Sequence, residues 1–244
     1  MPRHILIKLL LLLTFVGLIG GCSWVGSLFG GKKEEKPPEV LAQEGIKKLK
    51  KKNYDDAIDA FEKLKDRYPY SDQALLAEIK VADAKFYKRN YDEALEAYRS
   101  FEKLHPTNNA IPYVIFQQGM CFYRQRSTID RDQTFTARAL QQFRRLKEKF
   151  PESEFIPKAD DNIQKCLLDL AEHEFYVGEF YFKTKHYESA LDRFLTVEQE
   201  YPDYPKMAQV KKYIAECQKI LATPEKKPEG GILSYFTYLF DADW

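Results

Sequence analysis

Ala57-Ile58-x-x-Phe61-x-x-Leu64-x-x-x-Tyr68-Pro69 decides the fold, because the chain repeats it. Ala94-Leu95-x-x-Tyr98-x-x-Phe101-x-x-x-His105-Pro106 keeps every offset. So do Ala139-Leu140-x-x-Phe143-x-x-Leu146-x-x-x-Phe150-Pro151 and Ala190-Leu191-x-x-Phe194-x-x-Val197-x-x-x-Tyr201-Pro202. Apolar residues at i, i+4, i+7 and i+11 share one face of an α-helix. Proline then stops each helix, since it lacks an N–H and bars helical backbone at the residue before it. A generic bundle of amphipathic helices would not hold the same offsets four times.

A small residue stands twelve positions before the alanine in three copies: Gly45, Ala82 and Gly178. In the third copy Gly119 stands twenty before Ala139, so eight residues are inserted there. A small side chain lets the first helix of each pair approach the second closely. Small-x11-Ala-x3-aromatic-x7-Pro matches the tetratricopeptide (TPR) repeat. The proline-to-proline steps are 37, 45 and 51, longer than the ideal 34. The spacing therefore predicts an all-α TPR superhelix of about five repeats with insertions, and an extended helix over Lys158 to Lys185. Tyr204 to Leu221 reads as one more helix, the first half of a fifth repeat. Thr223 to Gly231 reads as a Pro/Lys/Gly linker. Ile232-Leu-Ser-Tyr-Phe-Thr-Tyr-Leu-Phe240 is an aromatic tail before Asp241 and Asp243.

At the other end, Arg3 and Lys8 lead into an apolar run from Leu9 to Ile19. That run is too short for a mature bilayer span but suits a signal-peptide core. Gly20-Gly21-Cys22 follows it directly. Small residues before such a cysteine resemble the bacterial lipoprotein cleavage box, which implies cleavage before Cys22 and a diacylglycerol and N-acyl chain on it. An ordinary secretory peptide that carries a cysteine is the alternative. Acyl chains anchor firmly, at about 0.8 kcal/mol per buried CH₂. Ser23 in place of Asp implies, by the usual sorting resemblance, release to the outer membrane. Residues 1–21 are thus expected as signal peptide and 22–39 as a lipidated flexible tether, whose composition cannot bury a core. Residues 40–125 and 126–222 make two repeat-bearing halves, and 223–244 the linker and tail.

The chain has 244 residues, a net charge of +1 and only four cysteines. Length allows a sizeable core. A charge near zero gives no reason to expect nucleic acid as a partner. No H-E-x-x-H, G-x-S-x-G, P-loop or G-x-G-x-x-G stands in the sequence, so no enzyme activity, metal or further cofactor is expected. His105 replaces the Tyr or Phe of its sister repeats, which favours packing over metal binding. Cys121, Cys166 and Cys217 lie on apolar helix faces and read as buried thiols; a Cys121–Cys166 disulfide is the alternative. Asp55-Asp56 and Asp160-Asp161 suit helix N-termini, where the macrodipole favours acids.

With these residues in view, the chain resembles the BamD family, the lipoprotein of the outer-membrane β-barrel assembly machine. The likeness is carried by the lipobox and by Tyr54-x-x-Ala57-Ile58-x-x-Phe61-Glu62-x-Leu64-x-x-Arg67-Tyr68-Pro69. His105-Pro106-Thr107-Asn108, Asp130-Arg131-Asp132 before Ala137-Arg138-Ala139, and Phe150-Pro151-Glu152-Ser153-Glu154-Phe155 extend it, as does Tyr176-Val177-x-Glu179-Phe180-Tyr181. It covers about residues 1–221. The family usually completes a fifth repeat with a second helix, and here Pro224 to Gly231 interrupts.

The resemblance implies a scaffold on the periplasmic face of the outer membrane, bound to BamA and working with other Bam lipoproteins. It also implies that the N-terminal half receives the C-terminal signal of unfolded outer-membrane β-barrel proteins. A different TPR lipoprotein, such as a secretin pilotin or a cell-envelope coordination factor, is the alternative. Solenoids present a concave face lined by the first helix of each pair. Counting from the small residue places Ile79, Asp83, Phe86 and Tyr87 there in repeat two. The same count places Tyr113, Phe116, Met120, Tyr123 and Arg124 there in repeat three. Aromatic surface suits a signal ending in an aromatic residue, and Arg pairs a terminal carboxylate; filling of inter-helix space is the plainer role for each aromatic. Arg193 lies where the family has an arginine facing an acidic residue of a BamA POTRA domain; a solvated helix charge is the plainer reading.

Overall fold

The computed structural model describes residues 36–223. The expected signal peptide, Cys22, most of the expected tether and residues 232–240 lie outside the described residues. Within them the chain forms nine α-helices and no strand. They are α1 (Pro38–Lys50), α2 (Tyr54–Arg67), α3 (Asp72–Tyr87), α4 (Tyr91–Leu104), α5 (Ile111–Tyr123), α6 (Thr134–Lys149), α7 (Ile156–Lys183), α8 (Tyr187–Glu200) and α9 (Met207–Ala222). Each helix packs on its neighbours in sequence, and α1 also meets α3. Four antiparallel pairs plus a single closing helix are the expected TPR stack.

The proline stops work as the sequence implies. Tyr68, His105, Phe150 and Tyr201 all leave the helix with φ between −129° and −138° and ψ between 56° and 62°. Each residue has left the helical region, which a following proline disfavours, without reaching a fully extended conformation. Three helix-to-helix turns use a different device. Lys52, Arg89 and Lys185 adopt φ of 62°, 68° and 64° in the turns of repeats one, two and four. Left-handed backbone in a non-glycine costs about 1–2 kcal/mol. Repeat three has no such residue, because its eight-residue insertion relaxes the turn.

The small residues mark the closest approaches. A Cβ on Gly45 would lie 2.5 Å from Phe61 Cε1, one on Gly119 2.6 Å from Phe143 Cε1, and one on Gly178 2.7 Å from Phe194 Cε1. Each ring is fully buried. So the aromatic at the fourth position after the alanine fills the space that the small residue leaves.

Three boundaries differ from expectation. The tether ends earlier, since Pro38 and Glu39 already belong to α1. Proline is pre-organised for the first helical position, and Tyr68 Oη donates to the Lys36 carbonyl at 3.0 Å, pinning the entry. The extended helix is Ile156–Lys183, two residues ahead of the expected span. The closing helix starts at Met207 rather than Tyr204, because Tyr204 is buried in the turn and its hydroxyl donates to Glu172 at 2.5 Å.

Buried apolar residues form three groups along the stack: Leu41 to Val81, Ile79 to Cys166, and Ala171 to Cys217. The middle group runs across residue 125. At the end of the stack, Ala215 stands thirteen residues after Pro202, as Ala82 and Gly119 stand after Pro69 and Pro106. Its surroundings are different. Lys211, Lys212, Ala215 and Lys219 are all exposed. A polar outer face suits a terminal solenoid helix, and α9 is the last helix among the described residues.

Candidate peptide-binding face

α3 and α5, the first helices of repeats two and three, carry eight of the nine residues expected on the concave face, and Arg124 caps α5. The structure sorts them into a buried floor and an exposed edge. Asp83 is 2% exposed and serves the floor. Its Oδ1 accepts from Tyr98 Oη at 2.6 Å and from Tyr113 Oη at 2.7 Å, and its Oδ2 from Lys80 Nζ at 2.6 Å. A buried carboxylate is tolerable when it is paired and hydrogen-bonded, and here it ties α3 to α4 and α5 at once. Gln117 Nε2 donates to Tyr113 Oη at 2.8 Å, completing the chain. Burial first, then the Asp83 carboxylate, push the Tyr98 and Tyr113 hydroxyls well above the ordinary tyrosine value, so both stay protonated donors.

Ile79 and Phe116 are buried too, and with Asp83 they support the face from beneath instead of offering contact surface. Phe116 lies between Phe143 and Phe155, with ring centroids 5.7 and 5.6 Å away. Of the aromatics read as space-fillers, Phe116 is the one that is buried. Met120 is half-buried, its Sδ 3.6 Å from Asn162 Nδ2. Tyr113 is half-buried, with its ring 5.5 Å from Phe155 and Lys80 Nζ 5.9 Å over it. Phe86 stands edge-on to Tyr91 at 5.3 Å.

The exposed edge has two members, Tyr87 and Arg124, with Tyr123 beside them. Tyr87 is 52% exposed and stacks on Tyr54 of α2 at 6.1 Å. Tyr123 is half-buried. Arg124 is exposed at the end of α5, held by its own N–H to the Met120 carbonyl at 2.9 Å. Sequence counting missed Arg126. Its guanidinium sits 3.7 Å over the Tyr123 ring and pairs with Asp169 of α7. A cation three residues after an aromatic at a helix end was the only signal available. It fixes Tyr123 by a cation–π contact and locks the insertion turn to the long helix. His173 Nδ1 reinforces that lock, 2.6 Å from the Ile129 carbonyl.

Arg193 lies far from this face, on α8. Its Nη1 donates to Glu174 Oε2 at 2.9 Å, and about 40% of its side chain is exposed. The three described cysteines are free and buried. Burial pushes the Cys121 and Cys166 thiols up to about 12. His105 packs 4.8 Å from Phe101 with Nε2 3.1 Å from Glu78. Among the described residues no group of His, Cys, Asp and Glu could hold a metal ion. None of their helices is long and apolar enough to cross a membrane.

Stacked helix pairs of this kind define a TPR-type solenoid. The chain belongs to the YfiO family of outer membrane lipoproteins, whose model matches residues 34–229. It is accordingly a protein associated with the outer membrane. It is 29% identical over 201 residues to the outer membrane protein assembly factor BamD of Rickettsia prowazekii, covering 80% of this chain and 77% of that one. The BamD of Caulobacter vibrioides is 26% identical over 203 residues, covering 83% and 67%. That of Neisseria gonorrhoeae is 26% identical over 199 residues, covering 78% and 72%. Among solved structures, the TPR2AB-domain:pHSP90-complex of yeast Sti1 aligns with 76% of this chain and 71% of that one, at 14% identity and a TM-score of 0.44.

Proposed function

We propose that this chain is a non-catalytic assembly factor for outer-membrane β-barrel proteins, held to the periplasmic face of the outer membrane by acyl chains on Cys22. Family membership across residues 34–229 carries the reading, and the assembly-factor names of its relatives agree with it. Repeats two and three receive the C-terminal signal of an unfolded barrel. Tyr54 and Tyr87 offer it aromatic surface, and Arg124 offers a cation for its terminal carboxylate. The Asp83 network keeps those residues in place without touching the peptide. α7 and α8 dock on a POTRA domain of BamA, with Arg193 as the contact that exchanges Glu174 for an acidic partner, alongside the other Bam lipoproteins.

A photo-crosslinking scan of residues 76–124 against an unfolded barrel peptide tests this. Crosslinks should concentrate at Tyr87, Tyr123 and Arg124. Arg124→Glu should weaken capture about tenfold, the loss of one charge-assisted pair of about 1.4 kcal/mol. Crosslinks spread evenly over buried and exposed positions, or an unaltered affinity for Arg124→Glu, would count against the face. A pull-down through the anchor that returns no POTRA-bearing barrel would remove the docking half.

A further inference from the structure

α4 and α6, the second helices of repeats two and three, flank a groove of about 570 Å³ to which α5 also contributes. Binding clefts run to about 300–1,000 Å³, so the groove is large enough for a ligand. Its lining is cationic although the chain's net charge is only +1. Arg99 and Lys103 stand on α4, Arg145 and Lys149 on α6, and Glu102 is the one carboxylate among them. Arg99 is answered by Glu96 at 2.8 Å, and Arg145 by Glu102. Lys103 and Lys149 are exposed, and among the described residues no carboxylate forms an ion pair with either. Arg138 extends the positive flank, since it and Arg99 both lie over the Phe122 ring, at 5.9 and 5.8 Å.

Glu102 decides what kind of anion fits. It ties the two flanks together, accepting from Gln118 Nε2 of α5 at 2.8 Å and pairing with Arg145 of α6. Burial raises its carboxyl, but the bonds from Arg145 and Gln118 outweigh that and hold it below the usual carboxylate value, so it stays ionised. A carboxylate here repels a compact anion such as phosphate and can accept from backbone N–H groups. Pro106, Ile111 and Phe150 add apolar surface. An extended acidic peptide meets all of these demands at once: N–H groups for Glu102, apolar side chains for the floor and carboxylates for the lysines. The spacing agrees. Arg145 and Lys149 are four positions apart on one helix, about 6 Å along its axis, and alternate side chains of an extended chain stand about 6.6 Å apart. From Arg138 to Lys149 the helix rises about 16 Å, which about five extended residues cover.

We infer that this groove docks an extended acidic segment of a partner protein, whose carboxylates pair with Lys103 on one flank and Lys149 on the other. None of Tyr87, Tyr123 and Arg124 lines it, so the surface is separate from the one that receives the barrel signal.

The test titrates the full chain into a fluorescein-labelled peptide of about eight residues that alternates glutamate with valine, longer than the span it must cover. Fluorescence anisotropy should report capture. Lys103→Glu combined with Lys149→Glu should weaken it at least about tenfold, because two attractions become two repulsions. Both lysines are exposed, so circular dichroism should show the fold intact. Lys211→Glu with Lys212→Glu, the same charge change on α9, should leave capture as it was. An equal loss for that α9 pair would overturn the proposal, since net charge alone would then explain the binding. Equally tight capture of the peptide with glutamine in place of glutamate would overturn it too. So would phosphatidylglycerol vesicles that bind through the same two lysines while the peptide is not held, which would make the occupant a membrane surface.

Discussion

Asp83→Ala is the most informative single change. Asp83 accepts three hydrogen bonds from three different positions, and Tyr98, one of the donors, is fully buried. Removing the carboxylate strands the Tyr98 hydroxyl in the core, at about 1–3 kcal/mol for an orphaned buried donor. Tyr113 and Lys80 are half-buried and regain water, so their loss is smaller. The total should be about 3–5 kcal/mol, the range for breaking a buried charged network by one partner. For a chain of this size that lowers Tm by about 6–20 °C. Tyr98→Phe should cost about 1 kcal/mol, because Asp83 keeps two donors. The double variant should be less destabilised than the sum by about 1–2 kcal/mol, since a phenylalanine in place of Tyr98 leaves no stranded hydroxyl. Urea unfolding followed at 222 nm reads all three. Additive effects, or Asp83→Ala within about 0.5 kcal/mol of the parent, the range of surface substitutions, would refute the floor as a junction shared between repeats two and three.

Two further outcomes follow from the core. Gly119→Ala gains about 1 kcal/mol of helix propensity but sets a Cβ 2.6 Å from the fixed Phe143 ring, and such overpacking costs about 1–3 kcal/mol. It should destabilise on its own and stabilise in a Phe143→Leu background, read by the same unfolding curves. The thiols give a pH dependence. Cys121 and Cys166 rise from an ordinary 9.0 to about 12 on folding. The fold therefore favours the protonated form. That contribution is whole below pH 9 and is lost as pH rises toward 12. Unfolding free energy should fall across that window, and Ellman's reagent should find the three core thiols only after denaturation.

The offsets that define the helices, the proline stops and the insertion in repeat three were legible in the sequence because they are local. A 3.6-residue period and a proline act on their own segment whatever surrounds them. The close approaches at Gly45 and Gly178 were legible for a related reason: the small residue and its aromatic partner keep one spacing there, and Gly119 keeps it once the eight inserted residues are taken out. Counting positions also put nine residues on the concave face. It could not say which of them meet solvent. Asp83 looks like a charged surface residue in any helical window and becomes a buried junction only when α4 and α5 close over it. Arg126 gains its role from Asp169, which lies 43 positions away. Lys52 and Arg89 carry no glycine signal, yet the antiparallel return of the next helix forces them left-handed. Periodicity is a property of one segment, and burial is a property of what packs on it.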